Sequence, residues 1–207
     1  MVADTHVGEY LDVLPEAVLE ALEGCDLILH AGDLSVVSVL HDLARVAPVV
    51  AVRGDHDRLD GLALPETAVV VAGGTRIGLI HGDRHHLIDA SVVVASLTVR
   101  RALRYRARMT RMLLRRMGPV DVIVFGHWHE RVTRQAGGTL LFSPGAVCPW
   151  GSLERGREPG SGLTGLNDRA VRGFRRRLGP DVMRPSVGIL EVGSGGVRPR
   201  TILLDGG

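Results

Sequence analysis

The chain has 207 residues, of which 45% are hydrophobic, 23% charged and only 3% aromatic, and its formal net charge is +2 at pH 7. This length and composition fit one globular domain whose core consists mainly of aliphatic side chains. The small net charge gives no reason to expect a nucleic-acid partner, and no apolar run approaches the ~20 residues that span a bilayer. Cys25 and Cys148 have the spacing of neither a metal site nor a disulfide framework. We therefore expect reduced thiols in a soluble cytoplasmic protein.

The first segment carries two polar side chains one residue apart, Asp4 and His6. Only three residues precede Asp4, whereas an average strand has about five or six. We therefore expect the first strand of the native protein to begin upstream of Met1.

The following segment alternates predicted helices and strands. Apolar periodicity predicts helices over residues 15–22 and 36–46, the first beginning at a proline and ended by a glycine. Apolar runs over 26–31 and 48–52 predict strands. Strands alternating with helices through short loops indicate a mainly parallel sheet covered by helices.

Two hairpins are also predicted. Residues 67–72 and 76–80 flank a Gly-Gly pair, and residues 186–192 and 198–204 flank a Gly-Ser-Gly-Gly turn. Alternating apolar residues around such glycines are typical of antiparallel strands joined by a tight turn. We expect the last hairpin to complete a second sheet.

Asp and His recur where predicted strands end. An apolar strand over 122–125 is followed by Gly126 and by His127 and His129. Because alternate side chains of extended backbone share a face, both histidines should lie on one side at the carboxyl end of this strand, where open α/β sheets form their sites. Four more predicted strands end in a small residue or glycine with Asp or His, for which packing offers no common reason. The candidate metal ligands are Asp4, His6, Asp33, Asp55, His81, His127 and His129.

These seven side chains offer carboxylate oxygen and imidazole nitrogen but no thiolate. Such a set suits Mn, Fe, Zn or a similar divalent ion rather than a structural thiolate zinc site. Seven ligands are too many for one ion and suit two with a shared carboxylate. Two ions about 3.5–4 Å apart can bind a phosphate and stabilise both its attacking and its leaving oxygen.

The order D-x-H, G-D, G-D-H-D, H-G and G-H-x-H resembles the calcineurin-like metallophosphoesterase superfamily. The resemblance covers residues 1–148 and resumes near 186. The L-P-E triplet at 64–66 and S-P-G at 143–145 are similar to its small bacterial and archaeal phosphodiesterase branch, which has a Vps29-like fold. The resemblance implies an α/β fold: a four-layer α/β-β/α sandwich of two mixed β-sheets flanked by helices, in a single domain over 1–207.

The resemblance also implies a function. It is that of a dinuclear metal-dependent phosphoesterase, a phosphodiesterase rather than a monoesterase, in which a metal-bridging hydroxide attacks phosphorus in line. The expected substrate is a small phosphate ester, and the expected cofactors are two divalent ions, Mn first and Fe, Zn or Ni as alternatives. A catalytically weak binding or scaffold module on the same fold is the competing interpretation. By motif position, Asp4, His6 and His129 would hold the first ion, Asp33 would bridge, and Asp55, His81 and His127 would hold the second.

Four features of the motifs need separate interpretation. His56 matches the family histidine that acts as general acid or as a clamp on phosphate, and Asp57 is our candidate for orienting it, because the carboxylate that many members carry shortly after G-D is missing. Asp55 stands where the family usually has Asn. The carboxylate of Asp55 adds negative charge beside an anionic substrate. His85 and His86 either line the pocket or are ordinary exposed loop residues.

Two segments lie outside the motifs. Residues 91–117 predict one long helix on which Arg100, Arg104, Arg108, Arg111 and Arg115 form a stripe. A solvated face is favoured over binding of nucleic acid or another anionic surface, since Tyr105 alone is available for base stacking. Residues 149–185 are rich in Gly and Arg and predict a mobile surface insertion near the site, with a short helix over 166–178. The oligomeric state is left open, a homo-oligomer included.

Overall fold

The structure is a computed structural model that describes residues 1–57, 59, 63–83, 99–148 and 184–204, with residues 99–105 described by their backbone alone. The predictions for His85, His86 and the start of the Arg-rich helix fall on 84–98 and lie outside the described residues. The same holds for nearly all of the predicted insertion, since 149–183 are not described.

Three helices are present among the described residues: α1 (Glu16–Ala21), α2 (Ser38–Ala44) and α3 (Val99–Met117). The first two confirm the predicted helices within two residues at each end. Helix α3 ends at Met117 because Gly118 adopts a φ of 68°, a left-handed conformation that ends helices, and its N–H donates to the Leu114 carbonyl at 3.1 Å.

The strands are β1 (Ile28–His30), β2 (Val49–Ala51), β3 (Thr67–Ala72), β4 (Thr75–Ile80), β5 (Val122–Val124), β6 (Arg131–Ala136), β7 (Thr139–Pro144), β8 (Ser186–Gly193) and β9 (Gly196–Leu203). Both predicted hairpins, β3–β4 and β8–β9, are confirmed. The β6–β7 hairpin was not predicted. Its turn is a Gly137–Gly138 pair with φ of 60° and 89°, a signal that favours a hairpin even where β6 itself is largely polar.

The first sheet depends on the start of the chain. Strands β1 and β2 pair in parallel, and Val2 forms a parallel bridge to His30. The N-terminal segment pairs with β8 on its side away from β1. The Met1 N–H donates to the Gly188 carbonyl at 2.6 Å, and the Gly188 N–H donates to the Met1 carbonyl at 2.8 Å. Residues 1–3 therefore lie between β1 and β8, so the short first segment occupies the middle of its sheet. The β8–β9 hairpin extends this first sheet through Met1, so the expectation that it completes the second sheet is wrong.

The second sheet has the order β3-β4-β5-β7-β6. Its three inner strands are parallel, and a hairpin strand pairs antiparallel at each edge. The carboxyl ends of β4 and β5 therefore meet at one edge of this sheet, next to the carboxyl ends of residues 1–3 and β1 in the other.

Three apolar clusters separate four layers. Leu79 and Phe142 are fully buried between the two sheets. Val18 of α1 and Leu43 of α2 pack on the outer face of the first sheet. Leu113 of α3 packs on the outer face of the second. The predicted four-layer α/β sandwich is confirmed.

The exposed face of α3 is strongly cationic. Arg108, Arg111, Arg115 and Arg116, with Met112, line an open cavity of about 550 Å³. Whether this face binds anions or is only solvated stays a prediction. In the described part of the chain, no helix has both the length and the apolar character needed to cross a membrane.

Replacing Leu113 should measure how strongly α3 is held to the second sheet. Leu113 is fully buried, so Leu113→Ala should lower the free energy of unfolding by about 2–5 kcal/mol. The exposed control Val13→Ala, at a position 71% exposed, should change it by about 0.5 kcal/mol or less. Urea denaturation of both variants is the measurement, and equal effects would contradict this packing.

Candidate metal centre

The loops that carry the predicted ligands have an unusual backbone. Six non-glycine residues among those described have positive φ, between 48° and 73°, and five of them are predicted ligands: Asp4, His6, Asp33, His127 and His129, with Ser35 as the sixth. Such conformations cost on the order of 1–3 kcal/mol each and persist where the surrounding structure fixes them. The expectation of extended backbone at His127 and His129 is therefore wrong, because both residues turn into the left-handed region.

One group of ligands contains Asp4, His6 and His129. Their ligand atoms lie within 4.8 Å of one another. His129 Nε2 is 3.6 Å from Asp4 Oδ1, and the rings of His6 and His129 are 5.4 Å apart between centroids. All three side chains are buried.

A second group contains Asp55, His81 and His127, again within 4.8 Å. Asp55 Oδ1 is 3.1 Å from His81 Nε2 and 3.2 Å from His127 Nδ1. The Nδ1 of His81 lies 2.7 Å from the Ala31 carbonyl, which can only accept, so this nitrogen carries the proton. Nε2 is then the nitrogen of His81 that can bind a metal.

Asp33 lies between the two groups. Its Oδ2 is 3.5 Å from His6 Nε2 in the first group and 3.2 Å from His81 Nε2 in the second. Its Oδ1 accepts the backbone N–H of His56 at 2.9 Å. One oxygen is thus fixed by the backbone while the other faces both groups.

Glycines at the strand ends leave room for these side chains. A Cβ on Gly126 would lie 2.8 Å from Asp4 Oδ2, and one on Gly32 would lie 2.7 Å from His81 Nδ1. A Cβ on Gly54 would collide with Asp33 Oδ1. The glycines of the sequence motifs therefore have a steric role beside the ligands.

Burial and neighbouring charges shift the pKa values of the ligands in different directions in the two groups. Burial raises the pKa of Asp4 to about 7, an effect that His81 and His127 partly oppose. Burial, with His6 close by, holds the pKa of His129 well below its usual range. Burial also lowers the pKa of His81, but the Asp33 and Asp55 carboxylates outweigh it and raise that pKa well above its usual range. Without a bound cation, the proton on His81 is thus the counter-charge of the two carboxylates.

Several buried polar atoms have no hydrogen-bond partner among the residues that the structure describes. They include Asp4 Oδ2 and both ring nitrogens of His6, and burial lowers the pKa of His6 so that its ring stays neutral. Leaving such atoms unpaired costs about 1–3 kcal/mol each. A divalent cation binds carboxylate oxygen and neutral imidazole, so this set of donors fits metal ions.

His56 and Asp57 have different surroundings from those expected. The Asp57 carboxylate accepts backbone N–H groups of Ser35 at 2.8 Å, Gly54 at 2.7 Å and Asp33 at 3.2 Å. It therefore joins two ligand-bearing loops and does not contact the His56 ring. The partner of His56 Nδ1 is Glu9, whose two oxygens lie 3.0 and 2.9 Å away. Glu9 was not predicted, because no pattern in the sequence relates it to a residue 47 positions later.

The sequence is similar to those of known metallophosphoesterases. The sequence model of the calcineurin-like phosphoesterase superfamily domain matches residues 1–163. The chain belongs to this superfamily. It is 33% identical over 146 residues to a probable metallophosphoesterase of Methanothermobacter thermautotrophicus, covering 70% of this chain and 74% of the relative. It is 32% identical over 157 residues to a probable metallophosphoesterase of Methanocaldococcus jannaschii, covering 74% and 71%.

Solved structures share the fold. Vps29 from Cryptosporidium parvum aligns with a TM-score of 0.57 at 17% identity, covering 98% of this chain and 94% of that one. Vps29 from Entamoeba histolytica complexed with Zn²⁺ aligns with 0.57 at 21%, covering 99% and 97%. An archaeal phosphodiesterase aligns with 0.54 at 18%, covering 97% of each. At these identities the likeness establishes the fold, and the superfamily membership makes the protein a metal-dependent phosphoesterase.

The two histidines of the G-H-x-H motif should contribute to the binding of different ions, so replacing each should lower the affinity for a different ion. His127 lies with Asp55 and His81, whereas His129 lies with Asp4 and His6. His127→Ala and His129→Ala should therefore each lower the affinity for one ion by about 10-fold or more and change the affinity for the other ion little. Isothermal titration with Mn²⁺ or Zn²⁺ is the measurement, and His41→Ala, at an exposed histidine of α2, is the control. Identical loss of both ions in both variants would contradict two separate groups.

Proposed function

We propose that the protein is a dinuclear metal-dependent phosphodiesterase that hydrolyses a small phosphate ester. The observation that carries the proposal is the position of Asp33 Oδ2 between the two ligand groups, at 3.5 Å from His6 Nε2 and 3.2 Å from His81 Nε2. A carboxylate in that position suits a bridge between two ions.

The ligands divide between two ions in this proposal. Asp4, His6 and His129 hold one, and Asp55, His81 and His127 hold the other. Divalent ions bound there would supply positive charge at the phosphate oxygens and activate water as the nucleophile. Mn²⁺ is our first choice for oxygen and imidazole ligands, with Fe, Zn or Ni as alternatives, and the Zn²⁺ complex of the structurally similar Vps29 supports testing zinc.

The chain's own residues would position and protonate the substrate. The His56 side chain is 40% exposed, so it can reach a bound phosphate ester. Its Nε2 can donate a proton to the leaving oxygen or a hydrogen bond to the phosphate. The contribution of Asp57 is to hold the loops of Asp33 and Gly54 together through three backbone N–H groups.

A diester is favoured over a monoester on grounds of charge. At neutral pH a phosphomonoester carries nearly two negative charges and a diester carries one. Asp55 is 41% exposed as a side chain and adds negative charge at the position where Asn is usual. Repulsion from this carboxylate penalises the more highly charged substrate more strongly. The archaeal phosphodiesterase among the structural neighbours is consistent with this choice.

Hydrolysis of a bis-aryl phosphate tests the proposed activity directly. Turnover should require added Mn²⁺ or another divalent ion and should disappear with a chelator. Loss of a direct ligand in His127→Ala should lower kcat/KM by about 100-fold or more, while His41→Ala should leave it unchanged. Metal-loaded protein without turnover would instead favour a binding or scaffold module on this fold.

Asp55→Asn tests the argument from charge. The amide oxygen can still bind a metal, so the variant should retain both ions but lower KM for a diester, and lower KM for the corresponding monoester further. Asp26→Asn, at an exposed aspartate, is the control. Steady-state kinetics with metal analysis is the measurement, and an unchanged or higher KM at full metal occupancy would contradict the argument.

A further inference from the structure

We infer that Glu9 is a positioning residue for His56: its carboxylate holds Nδ1 of the ring and directs Nε2 to the leaving oxygen of the substrate. The inference rests on the proposed phosphodiesterase function and assigns a role within the same site to a residue outside every motif of the sequence. Glu9 itself does not contact the substrate in this proposal.

His56 is held by its ring and by its backbone. Its Nδ1 lies 3.0 and 2.9 Å from the two carboxylate oxygens of Glu9, and its backbone N–H donates to Asp33 Oδ1 at 2.9 Å. The ring also packs edge to face against His6, with centroids 4.9 Å apart. Nδ1 is the only ring nitrogen with a hydrogen-bond partner among the described residues, so Nε2 is left for the substrate.

Glu9 is itself anchored. Its Oε2 accepts the Ser35 hydroxyl at 3.3 Å and lies 3.4 Å from His6 Nδ1. Its backbone is fixed by a turn in which its N–H donates to the His6 carbonyl at 3.2 Å. A glutamate side chain is ordinarily ionised at neutral pH, so both oxygens of Glu9 are acceptors and receive the Nδ1–H bond of His56.

The proton transfer follows from this geometry. A water oxygen forms the new bond to phosphorus as the bond from phosphorus to the leaving oxygen breaks. The imidazolium form of His56 gives its Nε2 proton to the leaving oxygen and becomes neutral, and it regains a proton from solvent while the attacking water releases one. The Nδ1 proton stays in its bond to Glu9 throughout. A carboxylate in this place fixes the tautomer and the orientation of an imidazole. Asp57 does not take this place, because its carboxylate is directed to the backbone N–H groups of Asp33, Ser35 and Gly54, while the carboxylate at His56 Nδ1 is that of Glu9.

One competing role for Glu9 is metal binding. Ligand atoms of His6, Glu9 and His56 lie within 4.8 Å of one another. If these three residues bound an ion of their own, removing the Glu9 charge would lower the amount of metal bound. Positioning predicts full metal content in Glu9→Gln.

Kinetics of Glu9→Gln, His56→Ala and the double variant test the inference, with Glu20→Gln on α1 as the control. Two diesters are compared, one with an aryl and one with a poorer alkyl leaving group. Glu9→Gln should lower kcat for the alkyl ester by about 10-fold or more, change KM little, and affect the aryl ester less. The double variant should be no slower than His56→Ala, since Glu9 acts only through this ring.

A second measurement does not depend on activity. In metal-free protein, ¹⁵N NMR of the histidine rings should find neutral His56 protonated at Nδ1, and Glu9→Gln should weaken that preference, whereas Glu20→Gln should not. An unchanged tautomer, additive kinetic losses, or loss of bound metal in Glu9→Gln would each overturn the inference. Wild-type protein without turnover would refute the proposed function, and the NMR result would still decide whether Glu9 positions His56.

Discussion

The arrangement of the whole site depends on the contact of one buried carboxylate, that of Asp33, with histidines from both ligand groups. Asp33 follows β1 in one sheet, His81 follows β4 in the other, and the two side chains meet at 3.2 Å between Oδ2 and Nε2. Charge attraction to His81 outweighs the effect of burial and holds the pKa of Asp33 below its usual range. The attraction between Asp33 and His81 therefore joins the two sheets at the edge that carries the ligands.

This contact constrains the backbone around it. Asp33 has a φ of 58°, and Gly54 must lack a side chain because a Cβ there would collide with Asp33 Oδ1. Asp57 then joins the loops of Asp33 and Gly54 through backbone N–H groups. The hydrogen bonds to Asp57 thus compensate the unfavourable left-handed backbone at Asp33. Such compensation is expected where ligands must be held in place before a metal binds.

Much of this could be predicted from the sequence, because strand periodicity and the chemistry of Asp and His are local properties. Both hairpins at 67–80 and 186–203 and the helices of the first half follow from apolar patterns. The left-handed backbone at His127 and His129 could not be predicted, since tertiary hydrogen bonds such as that from the His127 N–H to Asp4 Oδ1, at 3.0 Å, fix it. The contact of Glu9 with His56 was missed for the same reason: it exists only once two distant loops have folded together.

The central claim is that two ions share Asp33. The most direct measurement is an X-ray structure of the metal-loaded protein with anomalous scattering at the metal edge, which locates each ion independently of activity. The account predicts two ions per chain, one among Asp4, His6 and His129 and one among Asp55, His81 and His127, with Asp33 bonded to both. A single ion, or two ions neither of which contacts Asp33, would contradict it.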